Sequence, residues 1–156
     1  SYGLIDSQSV KTQYGSEERG IDGHKRIKGR KRHIVVDTLG NLLHVQVHAA
    51  HHADTLAGCA VLERTAMKYP TVAAFCGDQG YRGTAVTFVH EHLDLVLHIV
   101  PRLGAGFVVQ PKRWIVERTF AWLRHFRRLA KDVEILTGTA ENVIRIAMLK
   151  ITLAKC

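Results

Sequence analysis

Only three cysteines and three prolines occur in the 156 residues, and methionine and tryptophan appear twice each. Cys59, Cys76 and Cys156 are too few and too scattered for a disulfide framework or a zinc knuckle, which points to a reducing, cytoplasmic compartment. No apolar run approaches the ~18–20 residues that a membrane-spanning helix requires, so an integral membrane protein is excluded. With so little proline and a hydrophobic content of 46%, the chain is neither a disordered tail nor a low-complexity linker. The opening SYGLIDSQSVKT has no charged stretch followed by an apolar one, so no secretory signal is visible. It begins with Ser rather than Met, from which we expect a fragment or a processed product of a longer chain.

Acidic residues are the minority, 14 against 22 Lys and Arg, giving a formal net charge of +8 with ten histidines uncounted. A basic chain that still carries a full apolar complement points to a polyanionic partner, nucleic acid first. The length suits one domain spanning residues 1–156, with neither an internal repeat nor a linker.

Apolar Tyr2–Ile5 reads as the end of a strand. Residues 11–32 are polar and Gly-rich, and close on the basic run from His24 to Arg32. His33–Asp37 and Leu42–Ala49 flank Thr38-Leu39-Gly40-Asn41 and read as an antiparallel hairpin, with Asp37 as a turn residue. Asp54 is placed to cap a helix that ends before Pro70. Val72–Cys76 and Leu95–Val100 read as buried strands, separated by a short helix over about 84–92. Residues 102–110 have loop composition, and helices are expected over about 112–131 and 140–155. Such an order argues for an α/β layered domain, a mixed sheet with flanking helices.

Three acids stand out by position. Asp6 follows the first apolar segment, and Asp78 follows a buried strand and lies between Gly77 and Gly80. A carboxylate just past a strand end is a usual place for a metal ligand in α/β proteins, although each acid alone could equally cap a turn. Glu117 shares a helical face with Arg113, Ala121, Arg124 and Arg128, opposite an apolar stripe of Ile115, Thr119, Trp122, Phe126 and Leu129. It is thus the sole acid in a basic stripe, either a solvated face or a carboxylate that holds a divalent cation among phosphate-gripping arginines. Two-cation phosphoryl transfer requires such a combination of clustered carboxylate oxygens and nearby guanidinium groups.

Four strings make the pattern specific. Asp6-Ser7-Gln8-Ser9-Val10-Lys11-Thr12 and the stretch from Lys28 to Gly40 resemble the N-terminal half of a DDE transposase core. Asp78-Gln79-Gly80-Tyr81-Arg82-Gly83 resembles the segment bearing the second acid, and Arg113 to Leu123 the segment bearing the third. The chain is thereby similar to transposases of bacterial insertion sequences, in the insertion-sequence-5 group of the insertion-sequence-4-like superfamily. The resemblance implies a ribonuclease-H-like fold, with Asp6, Asp78 and Glu117 as a catalytic triad binding two Mg²⁺ or Mn²⁺ ions. It implies endonucleolytic nicking at transposon ends and strand transfer into target DNA, by a homo-oligomer on DNA in a bacterial cytoplasm, associated with the nucleoid. It also implies that a DNA-recognition region precedes residue 1. Arg113 and Glu117 match the superfamily's Tyr, Arg, Glu, Lys signature; Arg124 stands at the lysine position and Gln110 at the tyrosine position.

DNA contacts are expected from Lys28, Arg30, Lys31 and Arg32 in the basic run, and from Arg82, Arg113, Arg118, Arg124 and Arg128. Trp114, on the Glu117 side of its helix, is a candidate for stacking on a base, whereas Trp122 is expected in the core. His48, His51, His52 and Asp54 do not form a clear tetrahedral set and read as no metal site. Two other readings keep part of this pattern: an inactive DNA-binding remnant of a transposase, and a plain nuclease of the same fold.

Overall fold

A computed structural model describes residues 1–13, 15–101 and 112–155. The loop expected over 102–110, with Gln110, and Cys156 lie outside the described residues. Six strands form one sheet: β1 (Tyr2–Lys11), β2 (Gly20–Asp22), β3 (Ile27–Val36), β4 (Leu42–Ala49), β5 (Ala74–Gly77) and β6 (Val96–Ile99). The sheet runs β2-β3-β1-β5-β6, with β4 also on β3. β1, β2 and β4 pair antiparallel with β3, while β5 pairs parallel with β1 and β6. The helices are α1 (Asp54–Lys68), α2 (Thr84–Leu93), α3 (Arg113–Arg124) and α4 (Thr137–Leu153).

Strand alternation decides which helix each central residue meets. Leu4, Ile34, Val36 and Cys76 pack with Ile115, Val116, Phe120 and Leu123 of α3 and with Ile144 and Met148 of α4. Their neighbours Ile5, Val35 and Phe75 pack on the other face, with Val61 and Leu62 of α1 and Val89 of α2. Two helical layers therefore cover the sheet, α3 and α4 on one face and α1 and α2 on the other. None of the helices described is long and apolar enough to cross a membrane.

Several boundaries differ from expectation. β1 continues through Lys11, so Asp6 lies inside a strand rather than after one. The basic run is not loop: from Ile27 onward it is the first half of β3, stabilised by β2 and β1 on either side. Asp54 does not cap α1; Ala53 occupies the cap position without a side-chain bond, and the Asp54 carboxylate turns inward. α3 stops at Arg124, and residues 127–129 form a separate turn beyond an extended Phe126. Trp122 is half-buried rather than core, because Val116, Phe120 and Leu123 take the face toward the sheet. Asp37 is the expected turn residue, accepting from the Leu39 and Asn41 amides and the Asn41 side chain.

Candidate active site

The pleat of β1 sends Asp6 to the α3 face with Leu4, and Ser7 to the α1 face with Ile5. β5 runs parallel beside it, with Leu4 opposite Cys76. Asp6 and Asp78 each lie two residues beyond that pair, which brings the two acids to the same sheet face at neighbouring positions. Asp78 Oδ1 accepts from the Gly80 amide at 2.9 Å and caps the single turn of 3-10 helix over Gln79–Tyr81. α3 crosses above and supplies Glu117 from its second turn. Arg113, one turn earlier, places Nη2 2.9 Å from Glu117 Oε1 and 4.0 Å from Asp78 Oδ2. Two of the sequence-derived acids thus meet at one guanidinium, and Asp6 lies near enough to feel the charges of both acids and of Arg113.

The charge balance of this cluster is negative. Burial pushes the Asp6 carboxyl up to about 7; the Ser7 amide bond and Arg113 oppose the rise, and the charges of Asp78 and Glu117 add to it. Ser7 N–H donates to Asp6 Oδ1 at 2.7 Å and fixes that oxygen. Three carboxylates offer oxygen donors alone, the set a hard divalent cation takes. Among the described residues, no three His, Cys, Asp or Glu side chains are grouped closely enough to hold a metal ion as they stand. Arg113, between two of the acids, supplies positive charge in this arrangement.

The basic residues divide sharply. Arg30 and Arg32 point to the α3–α4 face and are 0% and 1% exposed. Arg30 binds the Glu17, Glu134 and Ile135 carbonyls and lies 3.3 Å from Asp132; Arg32 donates to the Leu129 carbonyl. Lys31 points the other way, to Asp54 and the His52 carbonyl. The expectation that Arg30, Lys31 and Arg32 touch DNA is therefore corrected: the pleat buries all three, and each is tied to protein partners instead of facing solvent. Lys28 and Arg82 remain exposed. Arg128 is exposed but paired with Glu134 at 2.7 Å. Arg118 lies between the rings of Trp114 and Trp122, 4.6 and 4.2 Å from their centroids.

Sequence reasoning missed part of the surface. A groove of about 340 Å³ lies beside Gln8 and Lys11 of β1, Arg124 at the end of α3, and Lys131. Gln8 is two residues from Asp6 on the same pleat face and Arg124 is two turns from Glu117, so the groove leads directly away from the acids. Reading β1 through to Lys11 would have exposed this alignment. His33, His48 and Asp54 are also brought together, on the opposite sheet face: His33 Nδ1 lies 2.8 Å from His48 Nε2, and His33 Nε2 lies 3.5 Å from Asp54.

The transposase DDE domain family matches residues 1–150 of the chain. Among solved structures, the catalytic core domain of BIV integrase is similar, with a TM-score of 0.57 at 15% identity over 95% of this chain and 80% of that one. No curated protein sequence matches. The likeness establishes the fold, a ribonuclease-H-like mixed sheet with flanking helices, as the sequence led us to expect.

Proposed function

This chain belongs to the transposase DDE domain family, and on that premise we propose that it cleaves phosphodiester bonds at insertion-sequence ends and transfers the strand into target DNA. The observation that carries this reading is the convergence of three segments: Asp78 and Glu117 pair with Arg113, and Asp6 feels the charges of all three. Asp6, Asp78 and Glu117 would hold two Mg²⁺ or Mn²⁺ ions. When bound, such ions lower the pKa of an attacking water or 3′-hydroxyl and offset charge on the leaving oxygen.

The chain's own groups do the rest. The Ser7 amide holds one Asp6 oxygen, and the Gly80 amide one Asp78 oxygen, so both carboxylates keep fixed orientations. Arg113, anchored by Asp78 and Glu117, presents a planar guanidinium suited to phosphate oxygens. The backbone of the cut strand would follow the groove past Gln8, Lys11, Arg124 and Lys131. Membership of the insertion-sequence-5 group and action as a homo-oligomer on DNA are part of the same proposal, supported by the four motif strings.

Incubation with supercoiled plasmid and Mg²⁺ tests it. Nicking that disappears in Asp78→Asn supports catalysis, and joining of a 3′-end to a second duplex separates a transposase from a plain nuclease. If wild type and variant bind DNA and are equally inert, the chain is a DNA-binding remnant and the enzymatic reading is lost.

A further inference from the structure

Two adjacent residues at the start of α1 reach both acid-bearing segments from the side of the sheet opposite the acids. Asp54 Oδ1 accepts from Ser7 Oγ at 3.0 Å, and Ser7 is the residue whose amide fixes Asp6. The same oxygen is held by Lys31 Nζ at 2.9 Å. Thr55 reaches the other segment: its hydroxyl donates to the Arg82 carbonyl and accepts from the Ala85 amide, both at 3.0 Å. Those two groups lie just past the turn that leaves Asp78, on either side of Gly83 and Thr84 where α2 begins.

Packing closes the same junction. A Cβ on Gly58 would lie 2.8 Å from the Tyr81 ring, so α1 and the turn after Asp78 touch with no space between them. A Cβ on Gly80 would lie 3.0 Å from Asp78 Oδ1 and 3.4 Å from Asp54 Oδ2, so both carboxylates press on the space that the missing side chain leaves. The buried Tyr81 hydroxyl lies beside Ser7 and feels the charges of Asp6, Asp54 and Asp78. Neither Asp54 nor Thr55 caps α1; the Thr55 hydroxyl instead takes a first-turn amide of α2, whose own cap residue Gly83 makes no side-chain bond, and so ties the start of α1 to the start of α2.

We propose that Asp54 and Thr55 are positioning residues which together set the separation of Asp6 and Asp78. Asp54 fixes the Asp6 strand through Ser7, and Thr55 fixes the Asp78 turn through Arg82 and Ala85. Because both belong to one rigid helical turn, the two carboxylates are held in register even though they lie 72 residues apart in the sequence. This assignment rests on the function proposed above, in which the two acids share cations.

The test compares Asp54→Asn, Thr55→Val and Thr55→Ser with wild type and with Asp78→Asn. Mn²⁺ affinity is read by electron paramagnetic resonance, Mn²⁺ demand by plasmid nicking, and local order by amide exchange at Ser7 and Gly80. Asp54→Asn and Thr55→Val are expected to weaken Mn²⁺ binding, and to raise the concentration needed for nicking, by about tenfold, as lost outer-shell partners do. Thr55→Ser restores the hydroxyl and the wild-type values. Unchanged Mn²⁺ affinity in both Asp54→Asn and Thr55→Val, with α4 amides protected as in wild type, overturns the proposal. A wild-type chain that neither binds Mn²⁺ nor nicks DNA removes the function instead. Exchange at Ser7 and Gly80 then decides the clamp alone: acceleration in Thr55→Val but not in Thr55→Ser upholds it, and no change overturns it.

Discussion

Asp6 and Ser7 are neighbours on β1, yet the sheet faces they enter treat a carboxylate in opposite ways. On the α3 face Asp78 and Glu117 share Arg113, and burial with those two like charges pushes Asp6 up to about 7. On the α1 face a single acid, Asp54, has Ser7, Lys31 and His33 around it. Burial works to raise the Asp54 carboxyl, but bonds and charge from His33 and Lys31 outweigh it and hold the group well below the usual range. The same chemical group is overcompensated on one side and undercompensated on the other. A balanced buried acid ties elements together, whereas an unbalanced cluster has affinity left over for an added cation.

The largest way to break this contrast is Asp6→Asn. Nicking is expected to fall by about a thousandfold, which corresponds to about 4 kcal/mol of transition-state stabilisation. Stability moves the opposite way with pH. Between 3.8, its ordinary value, and about 7, Asp6 binds a proton in the folded chain that it has lost in the unfolded one. The folded state therefore loses stability as pH rises through that window, by about 4 kcal/mol at 1.36 kcal/mol per unit. Asn cannot ionise, so the stability of Asp6→Asn relative to wild type should climb from pH 4 to pH 7 and stay level above it. His48 gives a slope of the other sign: burial lowers it to about 4, so its contribution is lost as pH falls below 6.5. Urea titrations of both proteins across pH separate the two; a flat difference would mean that Asp6 is as well compensated as Asp54.

Arg30 belongs to the balanced category despite its place in a basic run. Arg30→Met leaves Asp132, 1% exposed, without its guanidinium and frees three backbone carbonyls. A loss of about 3 kcal/mol is expected, because breaking a buried pair strands the remaining charge. Denaturant unfolding measures it, and a change below 1 kcal/mol would show that the cluster relaxes around the gap.

These two predictions also mark where the sequence was legible. The bounds of β4, the stop of α1 before Pro70, and the positions of Asp78 and Glu117 follow from local pattern, since turn residues and helical spacing act within a few positions. The length of β1 did not follow. Asp6-Ser7-Gln8-Ser9 is polar on both pleat faces and reads as a strand exit, but Ser7 is answered by Asp54 and Ser9 by Asp22. The basic run failed for the same reason. Arg30 and Arg32 are answered by residues 129–135, about a hundred positions away, and no local periodicity reports such partners. Asp54 had the signature of a helix cap, and its use across the sheet became visible only with strand register.

The smallest expected effect sharpens the contrast at the surface. Arg124 and Arg128 share one helical face by spacing, but α3 ends between them. Arg124 is exposed beside the groove and has no acid partner among the described residues, whereas Arg128 is neutralised by Glu134. A guanidinium that still has its charge to give can displace counterions from a DNA backbone; one already paired gains little by exchanging a carboxylate for a phosphate. Arg124→Ala should therefore weaken DNA binding about fivefold, near 1 kcal/mol, and lower the slope of log affinity against log salt by about 1. Arg128→Ala should leave that slope unchanged and cost a few tenths of a kcal/mol in stability at most. Equal slopes for the two variants, measured by fluorescence anisotropy on one duplex, would mean that the groove beside Gln8 and Lys11 does not carry the DNA, because proximity to the acids would then confer no advantage over a paired arginine elsewhere.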